Sequence, residues 1–488
     1  MTESLPSWRA AFRRDSLNPL LPVAIGLGWF VVVALVALIA PRGLREEVTL
    51  GIAALILVGS YWLWPKPTLL VFAFALLFEE SLSRWTGINI GHLDEVLVPA
   101  FLVLALVRER PWHKNLVHPV RDLALVVFLL MGIVSSLAAG VPAHLWLLAL
   151  LLLVKIFAFL YLVMWHDFNA ADIRQLYPTA LGAGILVALL SVFELVAPQA
   201  FSQLLNPGTL GVPRSGLPSL SSITGHPSTY SWFMVFNALF LFAGYVVFRR
   251  WWLLIGGILF GIGTVLSARR RAIAGLAIAL VAGFLSSLGN SARLGRLETW
   301  ARVGIAALIV GAFFIPALGG LVKLTSDEAE AGSATARVAL YETSVRIAVD
   351  ELPLGVGLGR FGSGISRDPY SPVYHQYGLD TVRGMTPDHS DFVADAFWAR
   401  VLGETGVIGF AGLIGFCIAV GLGLWRATRA AFDEPIVSAF VLGAWMVFVQ
   451  AIVDTLASSL FESQPRVYLL FGVMGAALSL ARTVRKEA

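Results

Sequence analysis

Apolar residues in this chain come in long unbroken runs, not in the alternation of strands or the narrow stripe of a surface helix. About fourteen such runs lie near residues 21–40, 49–64, 67–83, 94–107, 122–140, 143–165, 177–197, 228–248, 251–267, 272–288, 302–320, 401–424, 433–457 and 467–482. A helix needs about 20 apolar residues to cross a bilayer core, and only structures that satisfy their own backbone can do so. The pattern therefore predicts an all-α polytopic membrane protein of about fourteen transmembrane helices. It breaks once at length, over residues 321–394, which are polar and rich in glycine. There Thr335 or Ser333 can cap a helix starting near Ala336, and Pro353 with the glycines after it ends that helix. The expected divisions are a cytoplasmic segment 1–20, helices over 21–320, the large loop 321–394, helices over 395–482 and a tail 483–488.

Composition agrees: 58% of residues are hydrophobic and 14% charged, against about 25% charged in soluble domains, and the mean hydropathy is +0.80. One cysteine, Cys417, leaves no disulfide framework and no Cys-rich metal site within the chain. The first run is long and lacks a small-residue cleavage site, so no cleavable signal is expected. A net charge of +4 gives no reason to expect nucleic acid.

Orientation follows from lysines and arginines in short loops. With the N-terminus inside, Arg9, Arg13, Arg14, Lys66, Arg108, Arg110, Arg249, Arg250, Arg426, Arg429 and Arg482 fall on the cytoplasmic side. The loop 321–394 then lies outside. So do Arg214, the triplet Arg269, Arg270 and Arg271, and the loop residues Arg337, Arg346, Arg360, Arg367 and Arg383. Outer arginines oppose the insertion bias, and their planar fork suits phosphate oxygens. Trp62, Trp64, Trp146, Trp251 and Trp252, near run ends, read as interfacial belt residues. Lys155 falls in the middle of a run, where a charge is costly and paired or functional; Glu194 is the expected partner.

In the large loop, Gly355, Gly357, Gly359, Gly362 and Gly364 would let backbone amides approach an anion. Neither a P-loop nor a dinucleotide turn is present. His389, Asp391 and Asp395 are the candidate bases for accepting a hydroxyl proton. Asp94 and Glu95 are expected to position an acceptor, and Trp398 to stack on a sugar.

Three patterns occur in order: Gly225-His226-Pro227-Ser228 opening one run, Ser267-Ala-Arg-Arg-Arg-Ala272 opening another, and Arg337 followed by Leu352-Pro-Leu-Gly-Val-Gly-Leu-Gly359 and Gly403-Glu-Thr-Gly-Val-Ile-Gly409. Across residues 210 to 425 this order resembles the O-antigen ligase and polymerase superfamily, membrane glycosyltransferases acting on undecaprenyl-diphosphate-linked glycans at the periplasmic face of the bacterial inner membrane. The resemblance implies a glycosyltransferase C-like fold with short helices in a periplasmic loop, no cofactor and no metal.

By that resemblance, Arg270, flanked by Arg269 and Arg271, would grip the lipid diphosphate together with Arg337 and Arg214. His226, Arg360, Trp398 and Glu404 would complete substrate binding. Ligases carry a His-Asn pair about nine residues before the Glu of the Glu-x-Gly-x-x-Gly motif; here Asp395 stands there, with His389 six residues earlier. That departure favours a polymerase, which would join lipid-linked repeat units, over a ligase using lipid A core or another acceptor. Further expected partners are membrane lipid and a chain-length regulator. A flippase or transporter is the alternative of another class.

Overall fold

The computed structural model describes residues 45–109 (apart from 90 and 92), 118–205, 218–287, 298–305, 328–430 and 432–487 (apart from 433). The expected first run, the later part of 302–320 and Arg214 lie outside them.

Among the described residues the chain is all-helical, with one isolated bridge, Thr386 to His389, and no strand. The apolar runs become α1 (Arg45–Leu63), α2 (Pro65–Leu77), α4 (Leu93–Glu109), α5 (Pro119–Ala138), α6 (Ala143–Trp165), α7 (Ala170–Val196), α9 (Pro227–Phe248), α10 (Trp251–Leu266), α11 (Arg270–Ser287), α14 (Phe397–Ala427), α15 (Pro435–Thr455) and α16 (Arg466–Glu487). Shorter helices are α3 (Glu79–Thr86), α8 (Pro198–Leu204) and α13 (Pro372–Gln376), and α12 (Glu328–Asp350) belongs to the large loop. Among the described residues seven helices are long and apolar enough to cross a membrane: α5, α6, α7, α9, α11, α14 and α15. Three shorter apolar stretches, Val48–Leu63, Pro65–Leu77 and Trp251–Leu266, accompany them.

Two boundaries differ from expectation. The run 67–83 is two helices, because the chain leaves helical geometry at Phe78 and continues as the polar helix α3. The loop helix α12 begins at Glu328, not near Ala336, so positions 333 and 335 lie inside it rather than at its start. Asp395 stands just before α14, whose cap residue is Ala396, with no side-chain hydrogen bond.

Helix α9 is the axis of the bundle, with every residue from Ser228 to Tyr245 buried. Large apolar side chains face outward elsewhere, such as Leu130 and Leu137 on α5 and Leu189 and Val192 on α7, as lipid-facing surfaces require. Helices α5 and α14 approach closely because α14 presents glycine. A Cβ on Gly412 would stand 2.9 Å from the Ala124 carbonyl and the Phe128 amide, the small-residue packing typical of membrane helices.

Polar contacts sort the helix ends into two sets. At one end Lys66 pairs with Asp172 at 2.7 Å, Arg482 with Asp167 at 2.5 Å, and Arg174 with Glu434. At the other end lie the Gly-rich loop, α3, the N-termini of α9, α11, α14 and α16, and the C-terminus of α15. The outer segments inferred from the arginine bias thus gather at one end of the bundle.

Between the ends, Lys155 is buried and pairs with Asp94 at 2.8 Å and with Glu95 at 3.5 Å. Asp94 also accepts hydrogen bonds from Gln464 at 2.6 Å and from Tyr468. The expected partner, Glu194, instead accepts from the Ser221 and Ser222 amides. Asp94 is therefore enclosed and does not present itself to an acceptor.

Candidate functional site

The C-terminal turn of α15 is the node of the site. Arg271, in the first turn of α11, reaches across to it: Nε lies 3.0 Å from Asp454, and Nη1 donates to the Ala457 carbonyl at 2.8 Å. Its Nη2 donates to Ser228 at 3.0 Å, in the first turn of α9. Two further elements dock on the same turn. Tyr341 of α12 donates to the Leu456 carbonyl at 2.9 Å, and the Trp398 indole of α14 donates to Thr455 at 3.0 Å.

One helical turn before Tyr341, Arg337 holds Asp395 at 3.0 Å. Arg466 opens α16, is 7% exposed, and lies within electrostatic reach of both Asp454 and Arg271. Three arginines and two carboxylates are therefore gathered by six segments distant in sequence. Four helix N-termini, those of α9, α11, α14 and α16, meet at this end and add the positive ends of their dipoles.

The guanidinium groups are incompletely satisfied. Nε of Arg337, Nε of Arg360, and both Nε and Nη1 of Arg466 are buried without a hydrogen-bond partner. Buried donors are nearly always paired, and unpaired charged donors are costly. An anion with several acceptor oxygens would satisfy them. Among the described residues no three of His, Cys, Asp and Glu converge as metal ligands do.

The Gly-rich run binds a carboxylate, but the carboxylate belongs to the protein. The Gly359 and Phe361 amides donate to Glu404 Oε1 at 2.7 and 3.2 Å. Ser135 and Ser136 accept from Gly355 and Leu358, and the Gly403 and Glu404 carbonyls accept from Val356 and Gly357. The other oxygen of Glu404 takes Arg400 Nε at 2.8 Å, and Arg400 continues to Glu462. Glu404 is 1% exposed. It is a latch fastening the loop to α14, closed to a substrate. The latch demands glycine where backbones touch: Gly406 has φ +69° inside α14, and a Cβ there would stand 2.3 Å from the Leu354 carbonyl carbon.

The remaining candidates are placed as follows. Arg270 is exposed at the start of α11 and Arg269 half-buried just before it, while Arg271 reaches Asp454, Ala457 and Ser228. His226 caps α9, its Nδ1 accepting from the Ser228 amide at 3.1 Å. Trp398 is half-buried, edge-on to Phe397 and Phe410, and lines an apolar groove beside α15. His389 is exposed, and its backbone amide, not its imidazole, bonds to Thr386. Asp391 is exposed.

Glu80 of α3 adds a carboxylate that sequence reasoning missed. It packs on Gly225, where a Cβ would come within 2.6 Å of its Oε2, three residues before Ser228. Burial pushes its pKa upward, and the neighbouring Arg84 partly offsets that. Arg466 was findable: it is an outer arginine by the same bias that marked the triplet. Asp454 was also findable, as an acid near the end of an apolar run.

Against known proteins, no family model matches this chain, and no curated protein sequence matches it.

Proposed function

We propose that the protein is a membrane glycosyltransferase that joins glycan units carried on undecaprenyl diphosphate, extending a polysaccharide. The observation that carries this reading is the buried guanidinium of Arg466, whose Nε and Nη1 lack partners beside Arg271 and Asp454, at the end of the bundle where four helix N-termini meet. In this reading the chain crosses a bacterial inner membrane about fourteen times, and the loop 321–394 and the site face the periplasm.

The chemistry needs little beyond charge. The acceptor hydroxyl oxygen attacks the anomeric carbon, the bond from that carbon to the diphosphate oxygen breaks, and the diphosphate leaves with the electron pair. One displacement inverts the centre. Arg271, Arg466 and Arg337 stabilise the charge that grows on the leaving group. When the diphosphate engages Arg337, Asp395 gives up that partner and becomes the base that takes the hydroxyl proton. His389, exposed six residues earlier, is the competing base. Arg360 and the exposed Arg270 would take peripheral phosphate oxygens.

The test is transfer by the purified protein in nanodiscs, given a lipid-diphosphate-linked repeat unit and no second acceptor. A ladder of lengthening lipid-linked glycans is expected, with Arg271→Ala slower by a factor of roughly 10²–10³, the usual loss of one charge-stabilising donor. Asp395→Ala without turnover, beside an active His389→Ala, would identify the base. Product only after adding lipid A core or another acceptor would make the protein a ligase.

The buried Lys155, Asp94 and Glu95 cluster favours a second reading, a lipid-linked oligosaccharide flippase, because charges inside a bundle mark transport paths. Movement of a labelled lipid-linked glycan across liposomes, with no ladder in either arm, would put that reading first.

A further inference from the structure

A second cationic cavity lies at the opposite end of the bundle. It has a volume of about 510 Å³ between α5, α6, α14 and α16. Arg121, His118, Arg426 and Arg482 supply its polar rim, and Ile418, Leu422, Leu478 and Val120 its apolar walls. Gly415, Ala419 and Gly423 leave the α14 wall without bulk.

The charges do not cancel. Arg121 is 6% exposed, with Nε on Asp122 at 2.7 Å, its guanidinium over the Tyr161 ring and Nη1 against the Met164 thioether at 3.7 Å. Arg482 is matched by Asp167. His118 caps α5, accepting from the Arg121 amide through Nδ1. Arg426 is exposed on α14, and among the described residues no carboxylate pairs with it. Among the described residues the rim thus holds one guanidinium, that of Arg426, with no carboxylate of its own.

The apolar side is equally specific. Val120, Ile418 and Leu422 are 62%, 56% and 43% exposed, so the cavity opens on the outward face of the helices. Ile418 and Leu422 also form one wall of a long apolar groove between α14 and α15, continuing past Cys417 and Phe410 to Trp398. A cationic rim joined to an apolar track on the outer face of a helical bundle matches an amphiphile with an anionic head.

We propose that this cavity binds the phosphate of an anionic phospholipid, with an acyl chain lying along Ile418 and Leu422. Basic pockets between membrane helices bind such headgroups, and arginine forks suit phosphate. This site is separate from the arginine cluster at the other end and does not depend on the glycosyl-transfer reading.

The test is native mass spectrometry of the full chain, titrated with phosphatidylglycerol and, separately, phosphatidylcholine. Preferential retention of phosphatidylglycerol is expected. Arg426→Gln should weaken it about five-fold, the equivalent of roughly 1 kcal/mol per basic residue at a lipid headgroup. Gly415→Val tests the same cavity sterically, since a Cβ there meets only Ala124, at 3.5 Å. It should weaken retention without lowering the unfolding temperature. An unchanged preference in both variants would overturn the proposal and leave these arginines as orientation signals. Displacement of the lipid by glycerol phosphate at equal concentration would overturn it in favour of a soluble anion.

Discussion

At the scale of single residues, Arg466 and Glu80 are ionisable groups whose burial opposes their charge. Arg466 is a buried cation with partnerless donors, and such a group costs more to bury than an apolar side chain of similar volume. Arg466→Met is therefore expected to raise the thermal unfolding temperature while abolishing glycan transfer. A lowered unfolding temperature would mean that Arg466 is structural. Burial lifts the Glu80 pKa in the folded protein above its ordinary 4.5. The fold then holds the proton more tightly than the unfolded chain does. The associated stability is full below pH 4.5 and is lost as pH rises through the higher folded value. Glu80→Gln should flatten the fall in unfolding temperature across that window. A slope identical to wild type would exclude Glu80 as its source.

At the scale of elements, the loop and α14 act as one unit through Glu404. Its carboxylate holds two loop amides and Arg400, and removing one partner of a buried pair typically costs about 3–5 kcal/mol. Glu404→Gln should lower the unfolding temperature and expose residues 355–363 to protease, whereas a substrate ligand at that position would change turnover and leave cleavage alone. Gly406→Ala should be at least as severe, because the added Cβ meets the Leu354 backbone in a conformation that disfavours any side chain. Chymotryptic digestion in detergent reads both variants. The Gly-Glu-Thr-Gly motif was legible in sequence, but its role was not. Spacing showed only that the glycines would let loop amides approach an anion; the fold revealed that the group they hold is the Glu404 carboxylate.

At the scale of the molecule, the Lys155 and Asp94 pair joins α6 to α4, and through Gln464 and Tyr468 to α16 and the connection before it. Lys155→Met alone should destabilise strongly, leaving Asp94 uncompensated; adding Asp94→Asn should recover much of the loss, giving a coupling of the kind contacting residues show. Additive losses would mean the two charges do not depend on each other. If the pair serves transport, the double variant is stable yet inactive, and if it serves only architecture, glycan transfer survives.

What the sequence alone determined is the class of the molecule. Long apolar runs force helices because hydrocarbon leaves backbone groups no other partner. The arginine bias separates two sets of helix ends, and the outer arginines single out one set as chemically unusual. Those signals are local, so they survive without the fold. Tertiary structure decided what Arg271 meets. Arg269, Arg270 and Arg271 are equivalent in composition, but successive positions on a helix face in different directions, and helix packing turns Arg271 to Asp454. It also decided that Lys155 meets Asp94 rather than Glu194, and that Asp395 meets Arg337 across 58 positions of sequence. Pairings of that kind depend on how helices pack, and one sequence read along its length carries no record of that.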